Sequence, residues 1–210
     1  GSGKSTLMHL LTRLYDLPPE NGRITVGGID IADMTAESVR RSVGIVLQEP
    51  FLFSRSIAEN IGISSENATL SDVREAARLA CLDDTVMSFP SGYDTFVGER
   101  GVTLSGGQKQ RAAIARMLTS KTPIMVFDDS LSAVDAETDA KIRHALNESL
   151  GDSTVFLISQ RLTTLMQADK IIVLDHGRIA ESGTHDELVA LGGIYAEIYA
   201  IQKAGSEVES

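Results

Sequence analysis

The segment LSGGQKQR at residues 104–111 carries the most information about the fold of this chain. It places a serine and two glycines before a stretch rich in Ala and Arg that has helical periodicity. A Gly-rich turn leading into a helix exposes unpaired backbone N–H groups at the positive end of the helix dipole, so this segment can hold an anion. A second turn of this kind, GSGKST at residues 1–6, opens the chain. Few folds contain two phosphate-binding turns in one domain-sized sequence.

Residues 3–5 match the end of the nucleotide-binding pattern G-x-x-x-x-G-K-[ST], whose first glycine would lie before residue 1. In that pattern the ammonium of Lys4 reaches the β- and γ-phosphates, and the hydroxyl of Ser5 binds Mg²⁺. Thr6 adds a second hydroxyl beside the phosphates. Half a motif also fits a chance helix N-terminus, so the first turn alone leaves that alternative open. Because the chain begins inside the motif and without Met, we expect its natural N-terminus to be missing.

The composition indicates an ordinary globular protein and argues against several classes of function. The chain has 210 residues and a net charge of −10, from 29 Asp and Glu against 19 Lys and Arg. No run of Lys and Arg offsets this charge, so nucleic acid is not expected as a partner. A lone cysteine, Cys81, cannot form an internal disulfide, which favours a reducing compartment. The apolar runs are far shorter than the roughly 20 residues that cross a bilayer.

Hydrophobic periodicity predicts helices that alternate with short strands. Helices are predicted at residues 4–14, 71–87, 108–118, 137–150 and 162–167, and strands at residues 44–47, 124–127, 155–158 and 171–174. The alternation predicts a parallel sheet covered by helices on both faces. Gly27 and Gly28 lie between two short apolar runs and predict a hairpin. Thr184 and Glu187 have the spacing of a capping box at another helix start.

Asp128 comes directly after the apolar strand predicted at residues 124–127. A carboxylate at the carboxyl end of a parallel strand can hold the water shell of a metal ion. A helix cap or an ordinary loop acid explains the same residue equally well.

Together these motifs resemble the ATP-binding domain of ABC transporters, and the resemblance covers nearly the whole chain. The matching positions are the Q-loop glutamine at Gln48, the loop before the signature at residues 97–101, the signature at residues 104–108, the D-loop at residues 130–135 and the switch at residues 158–161. Residues 48–54 and 57–61 are especially similar to exporters whose membrane and ATPase domains share one polypeptide.

The resemblance implies an α/β fold of the P-loop NTPase (RecA-like) class with an inserted ABC helical subdomain. A nucleotide-binding domain at residues 1–203 would lack its N-terminal strands, and residues 204–210 would form a frayed tail. Within it we expect a core at residues 1–48 and 104–183, a helical subdomain at residues 49–103 and C-terminal helices at residues 184–203.

The family's geometry implies ATP and Mg²⁺ as ligands and a second ABC domain as partner. Two domains would meet head to tail, so that the phosphate turn of one faces the signature of the other with ATP between them. The residues implied in nucleotide binding are Gly1, Ser2, Gly3, Lys4, Ser5, Thr6, Gln48, Ser105, Gly106, Gly107 and Gln108, and those implied at the metal are Ser5, Gln48 and Asp128. The resemblance also implies transmembrane domains in the same polypeptide, a place at the cytoplasmic face of the cell membrane, and hydrolysis that drives export.

Two residues depart from the family's pattern, and the resemblance makes both of them catalytic. Asp129 stands where the family usually has the Glu that polarises the attacking water, and Gln160 stands where it usually has the switch His. A chain that has both changes and an intact signature resembles the degenerate-site member of a heterodimeric exporter. Its own site would be slow, while its signature would complete the active site of its partner. In the alternative interpretation Asp129 serves as the base in a homodimer.

Two other classes of protein fit part of the pattern. A soluble ABC protein that acts as a nucleotide-gated interaction module would share both turns, although the exporter-like segments argue against it. A P-loop kinase or GTPase would leave the second Gly-rich turn unexplained. Phe51 and Phe53 fit either a groove that receives a helix of a membrane domain or the protein core.

Overall fold

A computed structural model of the chain describes residues 2–98, 102–130, 133–149, 151 and 153–208. In chain order the helices and strands are α1 (Lys4–Leu11), β1 (Thr25–Val26), β2 (Ile29–Asp30), α2 (Ala36–Ser42), β3 (Val43–Val46), α3 (Ile57–Gly62), α4 (Leu70–Leu79), α5 (Asp83–Met87), α6 (Gly106–Ser120), β4 (Ile124–Asp128), α7 (Ala136–Ser149), β5 (Thr154–Ile158), α8 (Leu162–Leu165), β6 (Ile171–Asp175), β7 (Arg178–Gly183), α9 (His185–Leu191) and α10 (Ile194–Val208). The chain divides into two compact units. The terminal unit comprises Gly1–Val39 and Leu157–Ser210, and the central unit comprises Arg40–Phe156.

A sheet with the strand order β3-β4-β5 contains the strands that begin in the central unit. β3 and β4 pair in parallel from Val43 opposite Ile124 to Val46 opposite Phe127. The apolar run of β4 is buried, as expected for a strand covered on both faces. The predicted strands at residues 44–47, 124–127 and 155–158 are therefore confirmed to within a residue or two.

Helix α6 packs closely on β3 because Gly44 has no side chain. A Cβ at Gly44 would lie 2.7 Å from Thr122 Oγ1 and 2.8 Å from Met117 Cγ. The signature segment therefore leads into a helix that is anchored on the central sheet. On this helix Ile114 and Ala115 are fully buried, and α3 and α4 pack against it.

The single helix predicted at residues 71–87 is wrong, because the structure has two helices there. α4 begins at a capping box formed by Thr69 and Asp72, not at Ser71. It ends where Cys81 takes a left-handed backbone conformation with φ 52°. The N–H of Leu82 donates to Ala77 O at 2.7 Å and the N–H of Cys81 donates to Arg78 O at 2.9 Å, which is the Schellman pattern of a helix end.

Two antiparallel hairpins belong to the terminal unit. The predicted hairpin at Gly27 and Gly28 is confirmed, since β1 and β2 pair across it and both glycines have positive φ. The strand predicted at residues 171–174 is present as β6, but its assignment to the parallel sheet is wrong. β6 pairs with β7 in a separate two-stranded sheet. Positive φ at His176 and Gly177 gives the tight turn that turns the chain back on itself.

A small apolar core holds the C-terminal helices of the terminal unit together. It consists of the buried residues Leu162, Ile171, Leu188 and Tyr195, with Tyr199 among the side chains packed against it. The capping box of Thr184 and Glu187 is confirmed at the start of α9. α10 continues to Val208, so the tail expected from residue 204 is helical through residue 208. Lys203, Ala204 and Glu207 are ordinary helix formers, and no proline interrupts them.

Among the helices of the described ranges, none is long and apolar enough to cross a membrane.

Candidate functional site

The first phosphate-binding turn lies in the terminal unit, at the start of α1. Gly3 has φ 94° and caps this helix without a side-chain hydrogen bond. The first N–H groups of α1 are consequently left to an outside acceptor at the positive end of the helix. The Lys4 side chain is exposed, and its Nζ donates to Ser2 Oγ at 3.1 Å. This arrangement suits a polyphosphate.

The other residues assigned to this turn are Ser5, Thr6 and Gly1. Ser5 and Thr6 are exposed in the first turn of α1, where their hydroxyls are open to a ligand. Gly1 lies outside the described residues.

Gln160, the residue at the predicted switch position, is also in the terminal unit. It follows β5 by two residues and its side chain is exposed. Its main-chain oxygen accepts a hydrogen bond of 2.7 Å from Gln202 Nε2 of α10. Sequence reasoning assigned no role to Gln202, because its partner lies 42 positions away along the chain.

In the central unit, Gln48 and Asp128 lie at the same edge of the parallel sheet. Val46 pairs with Phe127, so the chain leaves β3 two residues before Gln48 and ends β4 at Asp128. Ligands in parallel α/β sheets bind at this carboxyl edge. The half-buried Asp129 follows at φ 45°, which is uncommon for a residue with a side chain.

Gln110 connects this edge to Ala133 within the predicted D-loop. Its side chain is 3% exposed, its Nε2 donates to Gln48 O at 3.1 Å, and its Oε1 accepts from the Ala133 N–H at 3.1 Å. Sequence reasoning gave this residue no role, although a glutamine among the alanines of a buried helix face is an available signal. Leu131 and Ser132 of the predicted D-loop, and residues 99–101 before the signature, lie outside the described residues.

The second turn predicted to bind phosphate is formed by the signature residues at the start of α6. Ser105 Oγ accepts from the Gln108 N–H at 3.3 Å, and Gln108 Oε1 accepts from the Ser105 N–H at 2.8 Å. This capping box satisfies the third N–H of the helix and leaves those of Gly106 and Gly107 without an intrahelical acceptor. The exposed Ser105 hydroxyl keeps its proton for donation to an outside group.

Phe51 and Phe53 form an exposed aromatic pair after Gln48, so placement in the core does not explain them. Their rings meet edge to face at 5.1 Å, and they are 69% and 40% exposed. Arg116 of α6 holds this segment by donating to Phe51 O at 2.9 Å and to Asn60 Oδ1 at 3.1 Å. Asn60 in turn bonds both main-chain groups of Phe53. The aromatic pair is thereby attached to the helix that carries the signature.

The oxygen donors of each unit suit Mg²⁺ held together with a nucleotide better than a metal held by protein side chains alone. Within the ranges that the structure describes, no group of three or more His, Cys, Asp or Glu residues is placed to hold a metal. Mg²⁺ typically binds through one or two carboxylates or hydroxyls together with nucleotide phosphates. The Ser5 hydroxyl, the Gln48 amide and the Asp128 carboxylate are ligands of that kind.

Comparison with known proteins identifies the family. Residues 1–132 match the sequence profile of the family described as ABC transporter. YgaD of Bacillus subtilis (strain 168), which carries the name of a multidrug export ATP-binding/permease protein, is 47% identical over 202 residues, covering 96% of this chain and 34% of YgaD. YfiB of the same strain, named as an uncharacterized ABC transporter ATP-binding protein, is 47% identical over 209 residues, covering 99% of this chain and 36% of YfiB.

A solved structure agrees with the sequence matches. The structure of a bacterial Atm1-family ABC exporter with ATP bound has a TM-score of 0.90 to this chain at 44% identity, covering 96% of this chain and 35% of that one. The chain thus spans about a third of the length of these relatives. Because the family profile matches more than half of its residues, the chain belongs to the ABC transporter family and has the P-loop NTPase fold of that family's ATP-binding domain.

Proposed function

We propose that this chain binds and hydrolyses MgATP as the motor domain of an ABC exporter. Two such domains meet head to tail, and transmembrane domains in the same polypeptide carry the substrate across the cell membrane. The names of the relatives support the fusion, since YgaD is an ATP-binding/permease protein of which this chain covers 34%. The exposed Phe51 and Phe53 offer an apolar surface to a membrane domain. The domain would then lie at the cytoplasmic face of the membrane.

The observation that carries the proposal is that the chain has two helix starts suited to a phosphate. One is at Gly3 and Lys4 in the terminal unit, and the other is at Gly106 and Gly107 in the central unit. A chain that handles a single nucleotide needs one of them. The second start is therefore available for the γ-phosphate of a nucleotide held by a partner chain.

We assign the individual residues the roles that the family resemblance implies. Gly1 to Thr6 hold the phosphates, with Lys4 providing the charge, while Ser5, Gln48 and Asp128 bind Mg²⁺. Ser105, Gly106, Gly107 and Gln108 form the surface for the partner's nucleotide. Mg²⁺ held by these residues would supply positive charge that offsets the charge developing on the phosphates. ATP favours the closed pair of domains because it contacts both of them only in that state.

The site built on this chain's own phosphate turn is attenuated. Asp129 is one methylene shorter than Glu, and a misplacement of about 1 Å at a reacting centre costs on the order of 100-fold in rate. Gln160 can donate a hydrogen bond but cannot become a cation as His does. We therefore infer a heterodimer in which the partner supplies the fast site.

The test uses the full-length protein with its partner subunit in lipid nanodiscs. Azido-ATP labelled on the γ-phosphate is cross-linked to the chain that binds it. The loss of label from each chain then measures hydrolysis of its nucleotide in a single turnover. We expect Asp129→Glu together with Gln160→His to speed hydrolysis on this chain by at least about tenfold. We expect Ser105→Ala to slow hydrolysis on the partner chain only. If the restored pair leaves the rate on this chain unchanged, attenuation by these residues is wrong.

A further inference from the structure

The last helix is bonded to the backbone of the switch segment through one side chain. Gln202 Nε2 donates to Gln160 O at 2.7 Å, and Gln202 Oε1 accepts from the Leu162 N–H at 3.0 Å. A single planar amide therefore binds the peptide groups on both sides of Arg161. Two bonds from one rigid group restrict both the position and the orientation of this segment.

The second of these bonds replaces a missing helix cap. α8 begins at Leu162, and its N-cap residue, Arg161, makes no side-chain cap hydrogen bond. The first N–H groups of a helix need an acceptor from outside the helix. Gln202 provides one for Leu162, so the start of α8 depends on α10.

The core of the terminal unit determines where Gln202 lies. Tyr195 is 2% exposed and belongs to the same apolar core as Leu162 and Leu188, while Tyr199 packs against that core. Gln202 follows Tyr195 by seven residues and Tyr199 by three, which places all three side chains on one face of α10. Rotation of α10 about its axis is opposed by the buried tyrosine, so the glutamine is held against the switch segment.

We propose that Gln202 is a positioning residue for Gln160, which makes the final turns of α10 part of the catalytic apparatus. This inference rests on the proposed function and places the Gln160 side chain at the γ-phosphate, which is the contact that the resemblance implies for the switch position. By holding the peptide group of Gln160, Gln202 reduces the range of directions available to that side chain. The effect falls on the hydrolytic step, because well-placed groups accelerate the reaction more than they strengthen substrate binding.

Two substitutions separate positioning from simple capping. Gln202→Ala removes both bonds, whereas Gln202→Glu keeps the acceptor for the Leu162 N–H and removes the donor to Gln160 O. Ile201→Glu is the matched charge control, since Ile201 is the preceding residue and is 72% exposed. The variants are compared in the full-length transporter with its partner in nanodiscs, by the single-turnover loss of γ-label from azido-ATP bound to this chain. The midpoint of thermal unfolding is recorded for each.

We expect Gln202→Ala and Gln202→Glu each to slow this step on the order of tenfold, less than the roughly 100-fold that a 1 Å displacement costs. Azido-ATP binding should change by less than about twofold, and Ile201→Glu should match the unaltered protein. Because Gln202 acts through Gln160, the double variant Gln160→Ala, Gln202→Ala should be no slower than Gln160→Ala alone.

Four outcomes would overturn the inference. A normal rate in Gln202→Glu would reduce Gln202 to a cap of α8. A double variant slowed by the product of the two single effects would mean that Gln202 acts independently of Gln160. If Gln160→Ala leaves the rate unchanged, the proposed role of Gln160 fails and this inference fails with it. If hydrolysis on this chain is slow in Gln160→Ala but has its normal rate in Gln202→Ala, only the proposed role of Gln202 is contradicted.

Discussion

Gly107 is the signature residue whose lack of a side chain the structure explains most directly. A Cβ at this position would lie 3.0 Å from the Ala133 carbonyl oxygen, a contact tighter than packed atoms normally adopt. At Gly106 a Cβ would lie 3.8 Å from the Ala133 Cβ, an ordinary van der Waals contact. The start of α6 can therefore approach the D-loop backbone only because residue 107 is glycine.

We expect Gly107→Ala to be less stable than Gly106→Ala by about 1 kcal/mol, because the added methyl forces a shift in a packed region. Both positions are in the first turn of α6, so the gain in helix propensity on replacing Gly is the same and cancels in the comparison. Urea unfolding of the two variants measures the difference. Equal stability would show that Ala133 yields without cost.

Asp83 is a nearly buried carboxylate at the start of α5. It links α5 to α4, the two helices found where a single helix was predicted at residues 71–87. Arg74 donates to it through Nε at 3.1 Å and Nη2 at 3.2 Å, and the Tyr93 hydroxyl donates to it at 2.7 Å. The hydrogen bonds from Arg74, and after them the one from Tyr93, lower the pKa of Asp83 against the opposing effect of burial. Burial and the neighbouring Asp83 raise the pKa of Tyr93.

This lowered pKa gives the stability of the chain an acid dependence. Between the folded pKa of Asp83 and its usual value of 3.8, the unfolded chain binds more protons than the folded one. The stabilisation is thus complete above about pH 4 and is lost as the pH falls toward the folded pKa. We expect Asp83→Asn to lower the free energy of unfolding at pH 7 by about 1–3 kcal/mol and to flatten its decline in acid.

Asp84→Asn, on the exposed face of α5, is the control for Asp83→Asn. It should leave both the stability at pH 7 and the acid dependence close to those of the unaltered chain. A variant at position 83 that declines in acid as steeply as the unaltered chain would place the dependence on other groups.

At the scale of elements, the end of α4 shows how burial overrides local helix preference. Residues 71–87 have helical periodicity throughout, yet the helix stops where Leu82, 1% exposed, enters the core. The residue before Leu82 takes a left-handed backbone conformation that ends the helix. This position is usually glycine, but here it is Cys81. Burial raises the pKa of the Cys81 thiol, which disfavours a reactive thiolate and fits a packing role.

We expect Cys81→Gly to be more stable than Cys81→Ala by about 1 kcal/mol, because a left-handed backbone costs about 1–2 kcal/mol for a residue with a Cβ. Both variants remove the thiol, so the comparison isolates the backbone. Urea unfolding of the two proteins measures it. A more stable alanine variant would indicate that the helix simply continues through residue 81.

At the scale of the whole molecule, the head-to-tail arrangement predicts different nucleotide defects for the two helix starts. Loss of the Lys4 charge in Lys4→Ala removes a charge-assisted bond of about 1.5–3 kcal/mol, which corresponds to roughly 10- to 100-fold weaker azido-ATP labelling of this chain. Ser105→Ala should leave that labelling within about twofold, since Ser105 contacts the partner's nucleotide. The measurement is photolabelling of each chain in the full-length pair, with and without a magnesium chelator.

Equal loss of labelling on this chain in Lys4→Ala and Ser105→Ala would mean that both helix starts serve one nucleotide within the chain. The head-to-tail proposal would then be wrong, whereas the assignment to the ABC transporter family would stand, since it rests on the family match.

Local sequence determined the parts of this protein that depend on neighbouring residues. The capping boxes at Ser105 and Thr184 and the turn at Gly27 and Gly28 are formed by groups within three residues of each other, and the nucleotide motifs have the same local character. Their backbone geometry follows from side-chain chemistry and turn preference alone. For this reason the helix starts at the two glycine-rich turns, and most other helix starts, were predictable.

Tertiary structure decided the features that depend on which distant segments meet. Gln110 and Gln202 find their partners 62 and 42 positions away, β6 joins β7 instead of the parallel sheet, and α4 ends because Leu82 is buried. A glutamine has the same local preference whether it faces solvent or binds a remote backbone group. The physical difference lies in the packing that brings two distant segments within hydrogen-bond distance, and that packing depends on the whole chain.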